Sequence, residues 1–212
     1  MLPLLPTPPP DDPLPTATEW FAAAQALSRR NTNALALATT DAHQRPSVRM
    51  VLLKSLAPAG YAVFYTNYGS RKAAELETTG RAAAVLYWHE LGRQLRFEGA
   101  VVRSPPTESD EYFATRPWRS QLNAWSSEQS RPLDDPALLE RRAAEIAAKN
   151  DGTQSLPRPR FWGGFRLWFD ALELWAEGAD RFHERLRYER TLTRRDDFAF
   201  AASAWRWQHL QP

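Results

Sequence analysis

From Gln94 to Arg103 the chain alternates with a period of two. Leu95, Phe97, Gly99 and Val101 take one side, and Arg96, Glu98 and Ala100 take the other. An extended strand puts such residues on opposite faces, so this stretch belongs to a sheet with one dry and one solvated face. Segments of strand composition recur at 34–40, 48–54, 61–66, 83–88, 161–169, 171–175 and 205–210, separated by turns such as Pro58-Ala-Gly60 and Glu90-Leu-Gly92. Helical patterns interrupt this series rather than alternate with it. They fall at 19–30 (with Trp20, Phe21, Ala24 and Leu27 on one side), at 71–79 behind an N-cap at Ser70, at 107–115, and from Asp135-Pro136 to about Lys149. The expected fold class is mainly β with α, an antiparallel β-barrel with helices around it. No Gly-rich dinucleotide fingerprint follows a strand, and P-loop and G-x-S-x-G patterns are missing.

The 212 residues carry 27 basic and 25 acidic side chains, a net charge of +2, which is too weak a field for a general nucleic-acid binder. Cys is absent, which excludes disulfides and thiolate nucleophiles, and His43, His89, His183 and His209 are too scattered to suggest a metal site. No apolar run reaches the roughly 18 residues of a membrane span and no secretory signal opens the chain. A cytoplasmic protein with no membrane partner is expected. Residues 1–16 hold seven prolines and no periodic pattern. They read as an extended or disordered tail, giving a tail at 1–18 and one folded domain at 19–212.

Four clusters of residues carry potential chemistry. In Arg49-Met-Val-Leu-Leu-Lys54 a strand presents Arg49, Val51 and Leu53 on one face and Met50, Leu52 and Lys54 on the other, with a cation near each end. Tyr65-Thr-Asn-Tyr-Gly-Ser-Arg71-Lys72 ends a strand, turns, and starts a helix with a hydroxyl and two cations, where free N–H groups favour an anion. Tyr112 and Arg116 share a helix face and Ser120 follows the break at Pro117, a donor set that suits a phosphate. Arg181, His183 and Arg185 follow Trp175, and would share one face if extended but spread apart if helical. Each cluster alone is equally an ordinary surface feature: strand ends reaching water, or a helix terminus. Together they describe a site for two phosphates among aromatic side chains.

The stretches RMVLLK (49–54), FYTNYGSRK (64–72), RQLRFEG (93–99), YFATRPWRSQ (112–121), AWSSEQS (124–130), FWGGFR (161–166) and RFHERLRYER (181–190) occur in this order. With these motifs the chain resembles the pyridoxine (pyridoxamine) 5′-phosphate oxidase family from about residue 19 onward. The resemblance implies an FMN-binding split barrel that forms a homodimer through its C-terminal strands, with FMN at the interface. It also implies oxidation of pyridoxamine or pyridoxine 5′-phosphate to pyridoxal 5′-phosphate, with O2 as acceptor and H2O2 released. By the same resemblance Arg49, Arg71 and Lys72 hold the FMN phosphate, beside Ser70. Met50, Val51, Leu52, Leu53 and Lys54 line the flavin, and Tyr65, Thr66, Gln94, Gln129, Ser130, Trp175 and Arg185 complete its site. Lys54, Tyr112, Arg116 and Ser120 bind the substrate phosphate, and Arg181 and His183 are the catalytic pair over the substrate ring. The chain departs from the family pattern at Asn123, Ala176 and Glu184, and residues 1–16 lack the Arg and Tyr that close over the substrate in some members. A phenazine-biosynthesis flavin oxidase and a non-catalytic FMN- or haem-binding split barrel are the alternatives. The retained Lys54, Tyr112, Arg116 and Ser120 weigh against the first, and Arg181 and His183 against the second.

Overall fold

The computed structural model describes residues 4–151 and 153–212, so residues 1–3 of the expected tail and Gly152 of the expected loop at 150–160 lie outside the described residues. In chain order the elements are α1 (Leu14–Gln25), β1 (Ala34–Thr40), β2 (Pro46–Leu52), β3 (Ser55–Ala57), β4 (Tyr61–Asn67), α2 (Arg71–Thr79), β5 (Arg81–Trp88) and β6 (Arg93–Arg103). There follow α3 (Pro106–Ala114), α4 (Trp118–Ser126), α5 (Ala137–Lys149), β7 (Trp162–Ala176), β8 (Glu184–Glu189), β9 (Leu192–Arg194), β10 (Phe200–Ala202) and β11 (Arg206–Leu210).

Antiparallel pairing closes these strands into a ring. β1 pairs with β2 and β5, β5 with β6, β6 with β7, β7 with β4, and β4 with β3. β2 and β3 are two arms of one bent segment. At the bend Leu53 N–H bonds to Asn33 beside β1 (2.9 Å), while the next residue, Lys54, bonds to Val63 on β4 (2.8 Å). This corner closes the barrel and sets Lys54 at its rim. β8 and β11 extend the sheet from the second half of β7.

β7 is one strand of 15 residues, not the two expected at 161–169 and 171–175. Asp170 is an extra residue: Gly99 faces Phe169 and Glu98 faces Ala171, so the ladder bulges there without breaking. At this bulge β7 exchanges one neighbour, β4, for another, β8. Gly99 is required opposite it, because a Cβ at that position would stand 1.8 Å from the Trp168 carbonyl oxygen.

Leu35, Leu37, Phe64, Leu86, Leu95, Phe97, Phe165 and Tyr188 fill the barrel and are almost fully buried. β2 keeps its expected alternation. Arg49 and Val51 are half-buried, whereas Val48, Met50 and Leu52 are 69%, 61% and 40% exposed on the outer face.

The N-terminal expectation needs correction. α1 begins at Leu14, not at residue 19, and ends before residue 30. The Asp12 carboxylate accepts the Leu14 N–H (3.0 Å), and Pro15 sits in the first turn, where its missing N–H costs nothing. Leu14, Ala17, Phe21 and Ala24 form the buried stripe, and Leu5 is buried in the same core. Residues 4–18 therefore pack on the barrel and do not form a disordered tail. α4 and β8 were not expected as elements, and residues 192–202 form the small β9–β10 hairpin.

Candidate functional site

The turn between β4 and α2 builds a candidate anion cradle. The Ser70 hydroxyl caps α2 by accepting the Ala73 N–H (3.4 Å), which leaves the N-terminal turn of the helix beside the barrel rim. Lys72 is buried in that turn. Its ammonium donates only to neutral oxygens: Gln129 Oε1 (2.8 Å), Thr66 Oγ1 (3.2 Å) and Ser70 Oγ (3.5 Å). Burial first, and the nearby Arg49 charge second, pull its pKa down to about 8.

Arg49 reaches the same region from β2. Its guanidinium lies 3.0 Å from Glu75 Oε2 and donates to the hydroxyls of Thr39 and Ser47. Glu75 is buried on α2 and also accepts from Arg71 Nε (2.7 Å), Ser47 (2.8 Å) and the Thr39 hydroxyl. Burial would raise its pKa, but the hydrogen bonds from Thr39, Ser47, Arg71 and Arg49 outweigh burial and hold it at about 2. Three cations against one carboxylate leave a surplus of two positive charges, the complement of a phosphate monoester dianion.

A second cationic group stands on the other face of β4. Tyr65 stacks on Tyr112 (4.0 Å) and on Trp162 (5.3 Å), making an aromatic wall. Burial, aided by Glu108, raises the Tyr65 pKa, so its hydroxyl stays protonated. Lys54 Nζ lies 5.4 Å from the Tyr112 ring. The Arg116 guanidinium lies 4.6 Å over Trp162, and its Nη1 is buried with no hydrogen-bond partner. Burial lowers the Arg116 pKa. An orphaned guanidinium nitrogen is costly in a folded chain, which makes Arg116 a candidate anion contact. Arg116, Asn67, Asn123, Trp162 and Gln129, the acceptor of Lys72, line a cavity of about 100 Å³. No hydrogen bond links Ser120 to Arg116 or Tyr112; it lines a neighbouring cavity between α4 and α5.

A third group lies at the far flank of the same sheet. Gln94 is paired with Trp175, and Trp175 with Arg185, across β6, β7 and β8. His183 lies against Trp175 (4.6 Å), and its Nδ1 accepts the Gly178 N–H (3.2 Å). Arg185 binds the buried Glu173 through Nε (2.9 Å) and Nη2 (3.2 Å). Arg181 occupies a turn in which Asp180 and Arg181 both adopt left-handed backbone (φ 50° and 66°), a conformation that costs roughly 1–2 kcal/mol per residue for L side chains. The fourth cluster is thus neither wholly extended nor helical.

Of the residues expected in the site, the structure brings Arg49, Thr66, Ser70, Arg71, Lys72 and Gln129 together, and likewise Lys54, Tyr65, Tyr112 and Arg116. Gln94, Trp175, Arg181, His183 and Arg185 form a separate group, on and beside the second half of β7, whereas β4, which carries Tyr65 and Thr66, pairs with the first half. Ser130 follows Gln129 in a left-handed turn (φ 74°). Within residues 50–53, Met50 and Leu52 face outward while Val51 and Leu53 pack on the core, so the four side chains do not share one surface. Glu75 and Glu173, the carboxylates that hold Arg49, Arg71 and Arg185, were not anticipated. Arg71 and Glu75 are four apart on α2, a spacing the sequence does carry, whereas Arg49 and Arg185 reach their carboxylates from other elements and leave no local signature.

Comparison with known proteins places the chain among recognised sequences and folds. A family model described as pyridoxamine 5′-phosphate oxidase matches residues 22–150, and one described as the pyridoxine 5′-phosphate oxidase C-terminal dimerisation region matches residues 162–212. A pyridoxine/pyridoxamine 5′-phosphate oxidase of Cereibacter sphaeroides is 49% identical over 180 residues, covering 85% of this chain and 88% of that one. Its counterpart in Rubrobacter xylanophilus is 44% identical over 201 residues, covering 95% of this chain and 87% of its own length. Among solved structures, PhzG from Burkholderia lata 383, in complex with tetrahydrophenazine-1-carboxylic acid, superposes with a TM-score of 0.84 at 36% identity, covering 96% of this chain and 94% of its own.

Proposed function

The chain belongs to the pyridoxamine 5′-phosphate oxidase family, and from that premise we propose that it oxidises pyridoxamine or pyridoxine 5′-phosphate to pyridoxal 5′-phosphate, using FMN and passing electrons to O2 with release of H2O2. The observation that carries this reading is the pair of cationic groups, one at Arg49, Arg71 and Lys72, the other at Lys54 and the orphaned Arg116 nitrogen. A cofactor phosphate and a substrate phosphate need one each.

The first site fits FMN. A buried ammonium bound only to neutral oxygens, two guanidinium groups and the Ser70 cap are donors suited to its phosphate. FMN, when bound, supplies the redox chemistry as a two-electron acceptor for the hydride leaving the carbon at the substrate's 4-position. The protein's own residues bind and orient. Lys54 and Arg116 hold the substrate phosphate as a point charge and a fork, and the Tyr112–Tyr65–Trp162 wall limits the solvent around it. His183 receives the Gly178 N–H at Nδ1, so a neutral ring presents Nε2–H as a hydrogen-bond donor to the substrate amine or alcohol. Arg181 fixes the substrate beside it. We place the Trp175–Arg185 group of one chain over the flavin of its partner in a homodimer; the match of residues 162–212 to a dimerisation region supports this.

Purified protein loaded with FMN should be yellow, and pyridoxamine 5′-phosphate should drive oxygen uptake with equal amounts of peroxide and pyridoxal 5′-phosphate. Turnover of a dihydrophenazine carboxylate alone would favour the second reading, which the likeness to PhzG brings in.

Lys72 gives a pH prediction. Phosphate favours its charged form, and its pKa in the free protein is about 8. FMN affinity should be level between pH 7 and 8 and then fall by up to about tenfold per pH unit. Apoprotein stability should move the opposite way. Between about pH 8 and the ordinary lysine value near 10.5, the unfolded chain binds more protons at this residue, so this contribution to stability rises with pH across that window. Flavin fluorescence titrations from pH 7 to 9.5 check the first part, and a level response throughout would contradict it.

A further inference from the structure

The N-terminal segment and the turn carrying Arg181 and His183 meet at one side chain. Glu184 Oε2 accepts the backbone N–H groups of Leu4 (3.1 Å) and Leu5 (2.9 Å). The Leu4 carbonyl in turn accepts from Arg93 Nη2 (3.3 Å), and the Arg93 guanidinium lies 5.2 Å over the Trp20 ring of α1. Arg93 is paired with Ala176, and Ala176 with Glu184, so the segment lies across the ends of β6, β7 and β8. Leu5 anchors it in the core.

The turn it meets is held against its own preference. Asp180 and Arg181 are consecutive non-glycine residues at positive φ. The entry is tight as well, since a Cβ on Gly178 would stand 1.8 Å from the Phe182 carbonyl oxygen. A conformation of this kind persists only when its surroundings over-determine it. At the entry, Glu177 N–H bonds to the Gly92 carbonyl (2.8 Å). At the exit, the Glu184 backbone is fixed in β8 and its carboxylate is fixed by Leu4 and Leu5.

We propose that Glu184 is a positioning residue: by gripping the backbone of residues 4–5 it clamps the exit of the 178–183 turn and holds Arg181 and His183 in their working arrangement. The activity part of this inference rests on the proposed oxidase reading. The clamp itself does not, and the experiment separates the two.

Glu184→Ala, Leu4→Pro (which deletes one of the two N–H donors) and their combination form a double-mutant cycle. Each single variant should lower kcat by about five- to tenfold, leave FMN affinity unchanged, and speed amide hydrogen exchange in residues 179–183. The double variant should be no worse than Glu184→Ala alone, and Glu184→Gln, which keeps an acceptor oxygen, should recover most of the loss. Independent, multiplying effects, or unchanged exchange at 179–183, would overturn the clamp. Melting temperatures read alongside keep misfolding apart from mispositioning, because Leu4→Pro leaves the buried Leu5 in place. If the wild type binds FMN and oxidises no B6 phosphate, the oxidase reading fails, while the exchange data still decide on the clamp.

Discussion

Arg49→Ala should weaken FMN binding by about 30-fold or more and lower the stability of the fold by about 3 kcal/mol. The first figure follows from truncating one charged contact to a phosphate, typically worth roughly 2–5 kcal/mol. The second follows from Glu75, which is buried and loses one of its two guanidinium partners while keeping its charge. The two effects should separate in a second variant. Adding Glu75→Gln to Arg49→Ala removes the uncompensated carboxylate and should restore stability, yet FMN binding should stay weak. Arg49→Lys should fall between, because an ammonium keeps the charge but loses the fork that now spans Glu75, Thr39 and Ser47. Flavin fluorescence quenching and thermal melts measure both quantities. An unchanged FMN affinity in Arg49→Ala would remove this residue from the cradle.

The second large effect concerns Arg116. Arg116→Ala should raise KM for the phosphorylated substrate by about 30-fold or more while kcat stays within about threefold, because a phosphate far from the reacting carbon is held equally in ground and transition states. Stability should respond in the unusual direction. Arg116 Nη1 is buried without a protein partner, so the free protein carries a desolvated donor that a ligand anion would satisfy. Arg116→Met keeps the packing on Trp162 and removes that donor, and should raise apoprotein stability by about 1 kcal/mol. A drop in both kcat and stability, with KM unmoved, would mean that Arg116 supports the fold instead of the substrate.

Much of the barrel was legible because its signals are local. β1 and α2 have the expected limits, and the alternation through β6 and the cap at Ser70 are written in adjacent residues. The misreadings arose where distant contacts decide. Pro13 and Pro15 read as part of a tail, although proline suits a first helical turn and Leu14 has a core to enter. Asp170 read as a break between two strands because a bulge looks like a turn until its partner strand is known. α4 has no side-chain cap, only Pro117 ahead of it. In the site, Lys72 and Arg116 were legible as cations. Their meaning came from burial: one is bound to neutral oxygens alone, the other has a nitrogen bound to nothing.

β2 pairs only with β1 and shows Val48, Met50 and Leu52 outward. If the proposed homodimer covers that stripe, the fold obeys mass action. Each tenfold dilution would cost the pair about 1.4 kcal/mol, and a newly made chain waits for a mate with a greasy edge showing. Supply, as much as amino-acid identity, then sets how long this enzyme survives in its solution.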